Sequence, residues 1–319
     1  MKLYLAPMEG ITGSIVRNAF LHNVGCIDKY FTPFIPAAKR LSNKIIRDIA
    51  PENNKGINLV PQLISNSSEE VLEMMKILKD RGFNEFNINL GCPSGTVTGK
   101  KRGSGMLKYP EELDRFLDGI YSVSDCPVSV KTRIGFDQVS EWPRILEIYS
   151  RYPISELIIH PRIRKEMYSG FVHTDAFALC YDRSSDQGLF KPEAICYNGD
   201  IWDMDCYDNC IKKFPDISRI MIGRGLLSMP DLACLIKGVQ LTDTRAALYS
   251  FCDEIYSGYL SVFSDSRDAV GHMKEIWIHL KRSFKDSDRL IKKLLKNQEP
   301  STYSCLVSQI FETLELSDR

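Results

Sequence analysis

Eight short apolar segments, each followed by an amphipathic stretch, constrain the fold of this 319-residue chain more than any other feature. The segments are residues 3–6, 28–33, 57–63, 84–90, 127–133, 155–160, 193–198 and 217–222. The stretches between them have helical spacing; between residues 68 and 81, for example, Val71, Met74 and Leu78 recur at helical intervals. Strand and helix alternating eight times over about 235 residues predict a (β/α)8 TIM barrel, for which about 250 residues are typical.

The pattern changes after about residue 240 to helices without strands. We therefore predict a barrel domain over residues 1–240 and a small all-helical C-terminal domain over residues 241–319. Lysines in this second part recur at intervals of seven and four, on one face of a helix or of two helices, at positions 274, 281, 285, 292 and 296. Such a run is usually a solvated face; the alternative is a nucleic-acid surface to which Trp277, His279 and Phe284 would add stacking, unless Trp277 is simply a core residue.

The charge balance and the cysteines limit the class of protein. Lys and Arg (41) equal Asp and Glu (41), so a polyanionic partner must bind a local basic patch. The ten cysteines are scattered, the N-terminus has no apolar signal region, and no stretch is long enough to span a bilayer. These features predict a soluble, reduced, cytoplasmic protein without membrane association. Cys206 and Cys210 stand four apart, but without a second pair of ligands they do not predict a metal site.

Polar residues and glycines follow the predicted strands, and in a barrel the carboxyl ends of all strands meet on one face. In chain order they are Pro7-Met8, Thr32, Gln62, Asn89 with Cys92, Lys131 with Arg133, His160 with Arg162, Asn198-Gly199-Asp200 and Gly223-Arg224. Backbone amides at the last two turns can bind a phosphate, as the loops after strands seven and eight of barrels often do. With Lys131 and His160 beside an aromatic anionic ring, flavin mononucleotide (FMN) matches this outline.

Cys92 follows a predicted strand directly, on a turn built from Gly91 and Pro93. A thiol with an ordinary pKa of about 8.5 is mostly protonated at neutral pH, so it can act as an acid as readily as a nucleophile. The alternative is a small buried hydrophobic residue, because free cysteine is among the most buried residue types. The basic loop that follows carries Lys100, Lys101 and Arg102, which either contact phosphates or are merely solvated.

Five motifs occur in order along the barrel and resemble those of the tRNA-dihydrouridine synthases. They are Ala6-Pro7-Met8-Glu9-Gly10, Asn89-Leu90-Gly91-Cys92-Pro93, Val130-Lys131-Thr132-Arg133-Ile134-Gly135, Asn198-Gly199-Asp200-Ile201 and Met221-Ile222-Gly223-Arg224-Gly225. The helical C-terminal part is similar to that family's RNA-binding domain, though less distinctively. The resemblance implies reduction of the uracil C5=C6 bond in tRNA, with FMN as hydride carrier, NADPH as reductant and Cys92 as the proton donor to C5.

The resemblance also implies roles for individual residues. FMN would be bound by Pro7, Met8, Gln62, Asn89, Lys131, His160, Asn198, Gly199, Asp200, Gly223 and Arg224. Asn89 would hydrogen-bond the flavin or the uracil, and Arg162 and Tyr168 would lie near the RNA substrate or the phosphate edge of the site. Because the target base must leave its stack, RNA has to be held around the pocket, for which we also expect Lys100, Lys101, Arg102, Lys274, Lys281 and Lys285. We expect a monomer with tRNA as its partner.

Two departures from the family pattern affect the loops. The family usually has His-Gly-Arg-Thr where this chain has His160-Pro161-Arg162-Ile163, and the basic residues 100–102 stand where relatives often have small ones. Three alternatives stay open: a flavin barrel acting on a free pyrimidine, ribosomal RNA as substrate, and a non-catalytic RNA-binding relative. The basic helical part disfavours the free pyrimidine, and the intact Cys92 disfavours a protein without turnover.

Overall fold

The computed structural model describes residues 1–186, 190 and 192–318, and its strands form one parallel sheet. The strands are β1 (Lys2–Leu5), β2 (Lys29–Phe31), β3 (Ile35–Pro36), β4 (Leu59–Val60), β5 (Gln62–Ile64), β6 (Phe86–Leu90), β7 (Val128–Gly135), β8 (Leu157–Ile163), β9 (Ile195–Tyr197) and β10 (Arg219–Ile222). Each of the eight predicted segments contains a strand. The predicted barrel is confirmed.

The ten strands within the described residues make an eight-stranded barrel because two barrel strands are interrupted. β2 and β3 are halves of one, and β4 and β5 are halves of the next, separated by Pro61. β2 pairs with β4 at one end of the sheet and β3 pairs with β5 at the other, so the sheet closes on itself. Proline lacks an N–H, and the amide of Gln62 donates instead to the Thr32 hydroxyl at 3.0 Å. The sequence interpretation missed these interruptions.

The helices cover the outside of the barrel and then continue as a separate group. Around the barrel lie α1 (Ser14–Asn23), α2 (Asn43–Ile49), α3 (Ser68–Lys79), α4 (Gly95–Thr98), α5 (Pro110–Tyr121), α6 (Trp142–Tyr149), α7 (Thr174–Asp186), α8 (Met204–Lys213), α9 (Arg224–Ser228) and α10 (Leu232–Ile236). The C-terminal group comprises α11 (Thr244–Val262), α12 (Ser266–Leu280), α13 (Asp288–Lys296) and α14 (Pro300–Thr313). Of the described helices, none has both the length and the apolar character to cross a bilayer.

The interior of the barrel is filled by side chains. Tyr4, Phe31, Ile158 and Met221 belong to a buried cluster of residues from the barrel strands. Beside this cluster the Glu156 carboxylate accepts hydrogen bonds from the Tyr4 hydroxyl at 2.7 Å, the Arg219 Nε at 3.1 Å and the Lys29 Nζ at 3.2 Å. Since a filled barrel is a core and not a pore, a ligand has to bind at the carboxyl end.

The C-terminal helices pack on the barrel through α11. The rings of Phe20 on α1 and Phe251 on α11 lie 4.8 Å apart, edge to face. At Gly258 the two helices approach so closely that a Cβ atom would lie 2.6 Å from the Ile15 side chain. The helical group is therefore attached directly to the first barrel helix.

The buried core of the helical group corrects one expectation. Trp277 is fully buried and donates its Nε1 hydrogen to the Tyr303 hydroxyl at 3.1 Å, and Phe284 is buried beside it. Trp277 is therefore a core residue, which the sequence left open as an alternative, and the expectation that Phe284 stacks on nucleic acid is wrong. The lysine run is also divided: α12 ends at Leu280, Lys281 lies in a short 3-10 turn, and Lys285 lies in the loop before α13.

Candidate active site

A cavity of about 490 Å³ lies at the carboxyl ends of the strands, within the size range of small-molecule sites. All eleven residues expected to bind a cofactor line it: Pro7, Met8, Gln62, Asn89, Lys131, His160, Asn198, Gly199, Asp200, Gly223 and Arg224. Cys92, Arg133 and Tyr168 line it as well. Trp202, the residue directly after the Asn198–Ile201 motif, also lines the cavity but was not predicted as a site residue. His279 was expected on an RNA surface, and it lines the cavity as well.

Asn89 fixes the turn that carries Cys92. Its Oδ1 accepts the backbone N–H groups of Gly91 at 3.0 Å and of Cys92 at 2.9 Å. From the other side, Ser104 donates its N–H at 3.1 Å and its hydroxyl at 2.8 Å to the Cys92 carbonyl. The thiol is thus held at the cavity wall by backbone contacts on both sides.

The glycine-rich loop after Cys92 folds back against it. Gly103 has a φ of +56°, and a Cβ atom there would lie 2.9 Å from the Cys92 carbonyl oxygen, so only glycine fits. In this loop Lys101 pairs with Glu112 at 2.7 Å, and Arg102 bonds the Asn66 side chain at 3.3 Å. Lys100 is exposed. None of these three residues lines the cavity.

The Cys92 thiol is held in its protonated form. Burial raises its pKa above the ordinary value, and this effect exceeds the opposing influence of a backbone hydrogen bond from Ser94 and of the cations Arg133 and Lys131. The side chain is half-buried and lines the cavity, so it is not a core residue. Of the two alternatives that the sequence left open, the geometry favours the presented thiol, with a proton available at neutral pH.

A chain of buried amides supports Asn89. The Asn89 Nδ2 donates to Gln62 Oε1 at 2.8 Å, and the Gln62 Nε2 donates to Asn87 Oδ1 at 2.7 Å. Asn87 Nδ2 in turn donates to the Ser129 hydroxyl at 2.9 Å, which donates to the Phe86 carbonyl at 3.1 Å. Each member has its partner, so the amide groups of Asn89 and Gln62 have a fixed orientation toward the cavity.

Two titratable groups on neighbouring strands have lowered pKa values. Burial, with a further contribution from Arg133, lowers the pKa of Lys131 to about 8. Burial and the cations Arg133 and Lys131 hold the pKa of His160 well below its usual value. At neutral pH the cavity therefore presents a charged lysine beside a neutral imidazole.

Asp200 joins two arginines. It accepts a bidentate pair of hydrogen bonds from Arg162, at 2.9 and 2.7 Å, and a third from Arg224 at 2.9 Å. Although burial alone would raise it, the pKa of Asp200 is lowered by these two cations. The Arg162 side chain is only 4% exposed, which argues against a contact with RNA, while its pairing with Asp200 beside Arg224 fits the alternative position at the phosphate edge of the site. Arg162 instead holds Asp200, and Asp200 orients Arg224.

Residues 164–173, which follow β8, form a loop that we call the β8 loop. Three arginines each donate to one of its backbone carbonyls: Arg133 to Met167 at 2.6 Å, Arg224 to Tyr168 at 2.8 Å, and Arg162 to Gly170 at 2.8 Å. The Tyr168 ring has a guanidinium 5.4 Å away on Arg133 and another at 5.4 Å on Arg224. The loop is thus fixed to the strands that build the cavity.

The helical group also contributes to the cavity. The guanidinium of Arg282, in the turn after α12, lies 4.4 Å from the centre of the Trp202 ring, and that of Arg224 lies 4.9 Å from it. His279 of α12 lines the cavity, and burial together with Arg224 and Arg282 lowers its pKa. Trp202 therefore connects the loop after β9 to the helical group.

Pro161, one of the departures from the family pattern, lies at an irregular position in β8. The register between β7 and β8 shifts there, from Arg133 opposite His160 to Gly135 opposite Ile163. Proline is tolerated at a bulge because no ladder hydrogen bond needs its missing N–H. Its carbonyl accepts the His173 N–H at 2.8 Å, which closes the β8 loop.

Known proteins are similar to this chain in sequence or in fold. Residues 4–303 match the family described as dihydrouridine synthase (Dus). A tRNA-dihydrouridine(16) synthase of Shigella flexneri is 30% identical over 246 residues, which cover 74% of this chain and 76% of the relative. The tRNA-dihydrouridine(16) synthase of Pseudomonas putida is 28% identical over an alignment of 334 positions, which covers 99% of each chain. The solved structure of TcOYE with pHBA, 10% identical, matches 75% of this chain and 90% of its own with a TM-score of 0.51, which shows a shared fold.

The family match extends from the first barrel strand into the last helix, and it includes the cavity and the Cys92 turn. The order of the motifs, the barrel fold and the sequence similarity all indicate the same family. The chain belongs to the dihydrouridine synthase family.

Proposed function

We propose that this protein reduces a uridine of tRNA to 5,6-dihydrouridine, with FMN as its cofactor and NADPH as the reductant. The observation that carries the proposal is a protonated thiol, Cys92, on the wall of a cavity that also holds Lys131, His160 and Arg224. The relatives named above are tRNA-dihydrouridine(16) synthases, so position 16 is the proposed target.

The groups around the cavity fit FMN. At one side, the first-turn amides of α9 have no partner within their helix, and Gly223, Arg224 and Gly225 line the cavity there. These donors and the Arg224 guanidinium suit a phosphate. Pro7 and Met8 supply apolar contacts for a ring, and the Lys131 ammonium suits an anionic edge. When bound and reduced, the flavin supplies a hydride to C6 of the base.

Cys92 supplies the proton that the reduction also requires. Its S–H bond breaks as a C–H bond forms at C5 of the base, and the thiolate that remains regains a proton from solvent. Arg133 and Lys131 both favour the thiolate electrostatically, so they stabilise the charge that develops on sulfur. Asn89 holds the turn so that the thiol keeps its place on the wall.

RNA has to bind outside the cavity, because the target base must be flipped out of its stack to enter. The proposed contacts are Tyr168 at the cavity mouth, Lys100, Lys101 and Arg102 beside Cys92, and Lys274, Lys281 and Lys285 in the helical group. The barrel, residues 1–240, would then perform the chemistry, and residues 241–319 would orient the RNA. Basic side chains contribute to such binding through contacts with phosphates.

Replacement of both Lys281 and Lys285 by Glu is expected to weaken tRNA binding and reduce its dependence on salt, while the cofactor stays bound. Each lost phosphate contact lowers the slope of log K against log salt by about 1. Titrations of unmodified tRNA at several salt concentrations measure this slope. Lys76→Glu on the outer helix α3, where the lysine is exposed, serves as a control of equal charge change per site. An unchanged slope in the double variant would mean that these lysines are only solvated.

The affinity of the protein for FMN is expected to fall as pH rises through about 8. Lys131 has a pKa of about 8, so it is charged below that pH and loses its attraction for an anion above it. Fluorescence titrations of the flavin-free protein with FMN between pH 7 and pH 9.5 measure this step. Lys131→Met should bind FMN more weakly and without the step; the same pH dependence in this variant would assign the titration to another group.

Mapping dihydrouridine in RNA from cells with and without the gene tests the function, together with an absorbance spectrum of the purified protein. Loss of dihydrouridine at position 16 of tRNA, and a flavin band in the protein, are expected. Loss from ribosomal RNA instead would change the substrate. A yellow protein whose deletion leaves all RNA unchanged would favour a free pyrimidine, and a colourless protein that binds tRNA would favour a non-catalytic role.

A further inference from the structure

Three large apolar side chains lie exposed in a five-residue segment of the β8 loop, residues 167–171. Met167, Tyr168 and Phe171 are 42%, 52% and 87% exposed, and Phe171 is the most exposed large hydrophobic residue in the part of the chain that the structure describes. Apolar residues on a protein surface are usually scattered singly. A cluster beside the mouth of a cavity therefore indicates a surface that binds something.

The loop that carries these side chains is held rigidly. Besides the three arginines that bind its carbonyls, the Glu166 carboxylate accepts the Ile163 N–H at 2.8 Å and contacts the His173 ring at 2.6 Å. Because both ends and the middle of the loop are anchored, its outer side chains are already in place before a partner arrives. A preformed surface of this kind binds at a lower entropic cost.

Phe171 stands between two anchored residues. The Gly170 carbonyl is held by Arg162, and Val172 packs against the core of the barrel. Tyr168 lines the cavity, and Phe171 lies three residues after it. Because three residues of extended backbone span at most about 11 Å, the two residues are close in space. The Phe171 ring is therefore within reach of a nucleotide next to one that occupies the cavity.

The charges around the β8 loop suit an anionic partner. The Arg164 guanidinium and the Lys108 ammonium lie 5.3 and 5.4 Å from the centre of the Phe136 ring, and Arg164 also donates to the Pro93 carbonyl at 3.2 Å. Arg164 belongs to the same loop as the exposed rings of Tyr168 and Phe171, so the loop combines a cation with aromatic rings. Surfaces for single-stranded nucleic acid have this composition, since cations contact phosphates and rings stack on bases.

We propose that Phe171 stacks on an unpaired base adjacent to the flipped nucleotide, and that the β8 loop is a preformed platform for single-stranded RNA. This inference rests on the proposed function, because it takes the nucleotide in the cavity from it. The stacked neighbour would keep the strand open on one side of the cavity while the target base is inside.

Phe171→Ala is expected to weaken binding of unmodified tRNA about tenfold, which corresponds to about 1.4 kcal/mol and lies within the range for one base stacked on a ring. Phe171→Trp should bind as tightly as the wild type, because the aromatic face remains. Phe171→Leu should behave like the alanine variant, because it keeps apolar surface but has no ring. Fluorescence anisotropy of end-labelled tRNA measures all three, and the KM for tRNA should rise while kcat at saturation stays unchanged.

Val123→Ala is the matched control. Val123 is 64% exposed and follows α5, at the amino end of the barrel away from the cavity, so its removal should leave tRNA affinity unchanged. Equal tRNA affinity in wild type and Phe171→Ala would overturn the platform, and wild-type affinity in Phe171→Leu would overturn stacking. If the wild type binds tRNA but forms no dihydrouridine, the proposed function fails, while a loss of binding in Phe171→Ala still supports the platform. Absence of tRNA binding by the wild type overturns both.

Discussion

Cys92→Ala is expected to lower the rate of dihydrouridine formation by about 10²- to 10⁴-fold, the contribution typical of a positioned general acid. The cause is loss of the proton donor, because Asn89 and Ser104 hold the turn through the Cys92 N–H and carbonyl, which both remain in the variant. The cofactor should stay bound, so the flavin absorbance of the purified variant should match that of the wild type. Single-turnover formation of dihydrouridine in unmodified tRNA measures the rate.

Cys305→Ala provides the control for this variant. Cys305 is exposed on α14, outside the cavity, and its removal should leave the rate unchanged. Cys92→Ser keeps the size of the side chain but replaces the thiol by a far weaker acid, so it should be slow as well. A Cys92→Ala rate within about twofold of the wild type would remove Cys92 from the proposed chemistry.

Asp200→Ala is expected to lower the free energy of unfolding by about 3 kcal/mol and to weaken FMN binding. Removal of one partner of a buried ion pair leaves an uncompensated charge, which costs about 3 to 5 kcal/mol. Here the uncompensated charge is Arg162, whose side chain is only 4% exposed. Arg224 loses the same partner, so its guanidinium is no longer oriented at the cavity. Urea unfolding measures the stability, and fluorescence titration measures the FMN affinity.

Glu147→Ala is a matched control, because Glu147 also joins two arginines. Its carboxylate lies 2.9 Å from Arg144 and 2.8 Å from Arg151, but the side chain is 53% exposed. Exposed ion pairs contribute about 0 to 1 kcal/mol, so this variant should lose little stability and no cofactor. Equal losses in the two variants would show that the partial burial of Asp200 has no energetic consequence. Wild-type FMN affinity in Asp200→Ala would show that Arg224 needs no such partner.

The barrel was predictable because its strands are short apolar runs, and a parallel sheet buried on both faces requires such runs. The interruption of the third barrel strand was not predicted, although Pro61 within an apolar run is a signal for it. Pairing of the two halves with different parts of the preceding strand depends on contacts across the barrel, which no local pattern encodes. The sequence therefore predicted the number of barrel strands but not their continuity.

The residues that line the cavity were predictable from their positions at the strand ends, but the roles of individual residues were not. A carboxylate at a strand end, such as Asp200, has the same appearance in sequence whether it binds a ligand or orients two arginines from distant segments. Trp277 and Phe284 lie near basic residues in sequence, yet the helical group buries both rings. Periodicity places residues on a helix face and does not say whether another helix covers that face.

The buried amides behind Cys92 have a consequence for the divergence of this family. Ser129 lies on β7 and never reaches the cavity, yet through Asn87 and Gln62 it determines which way the Asn89 amide points. Substitution of any one member leaves a buried donor or acceptor without a partner, so a single change is disfavoured. We expect these four positions to be inherited as a unit among relatives, and to change, where they do, in concerted steps.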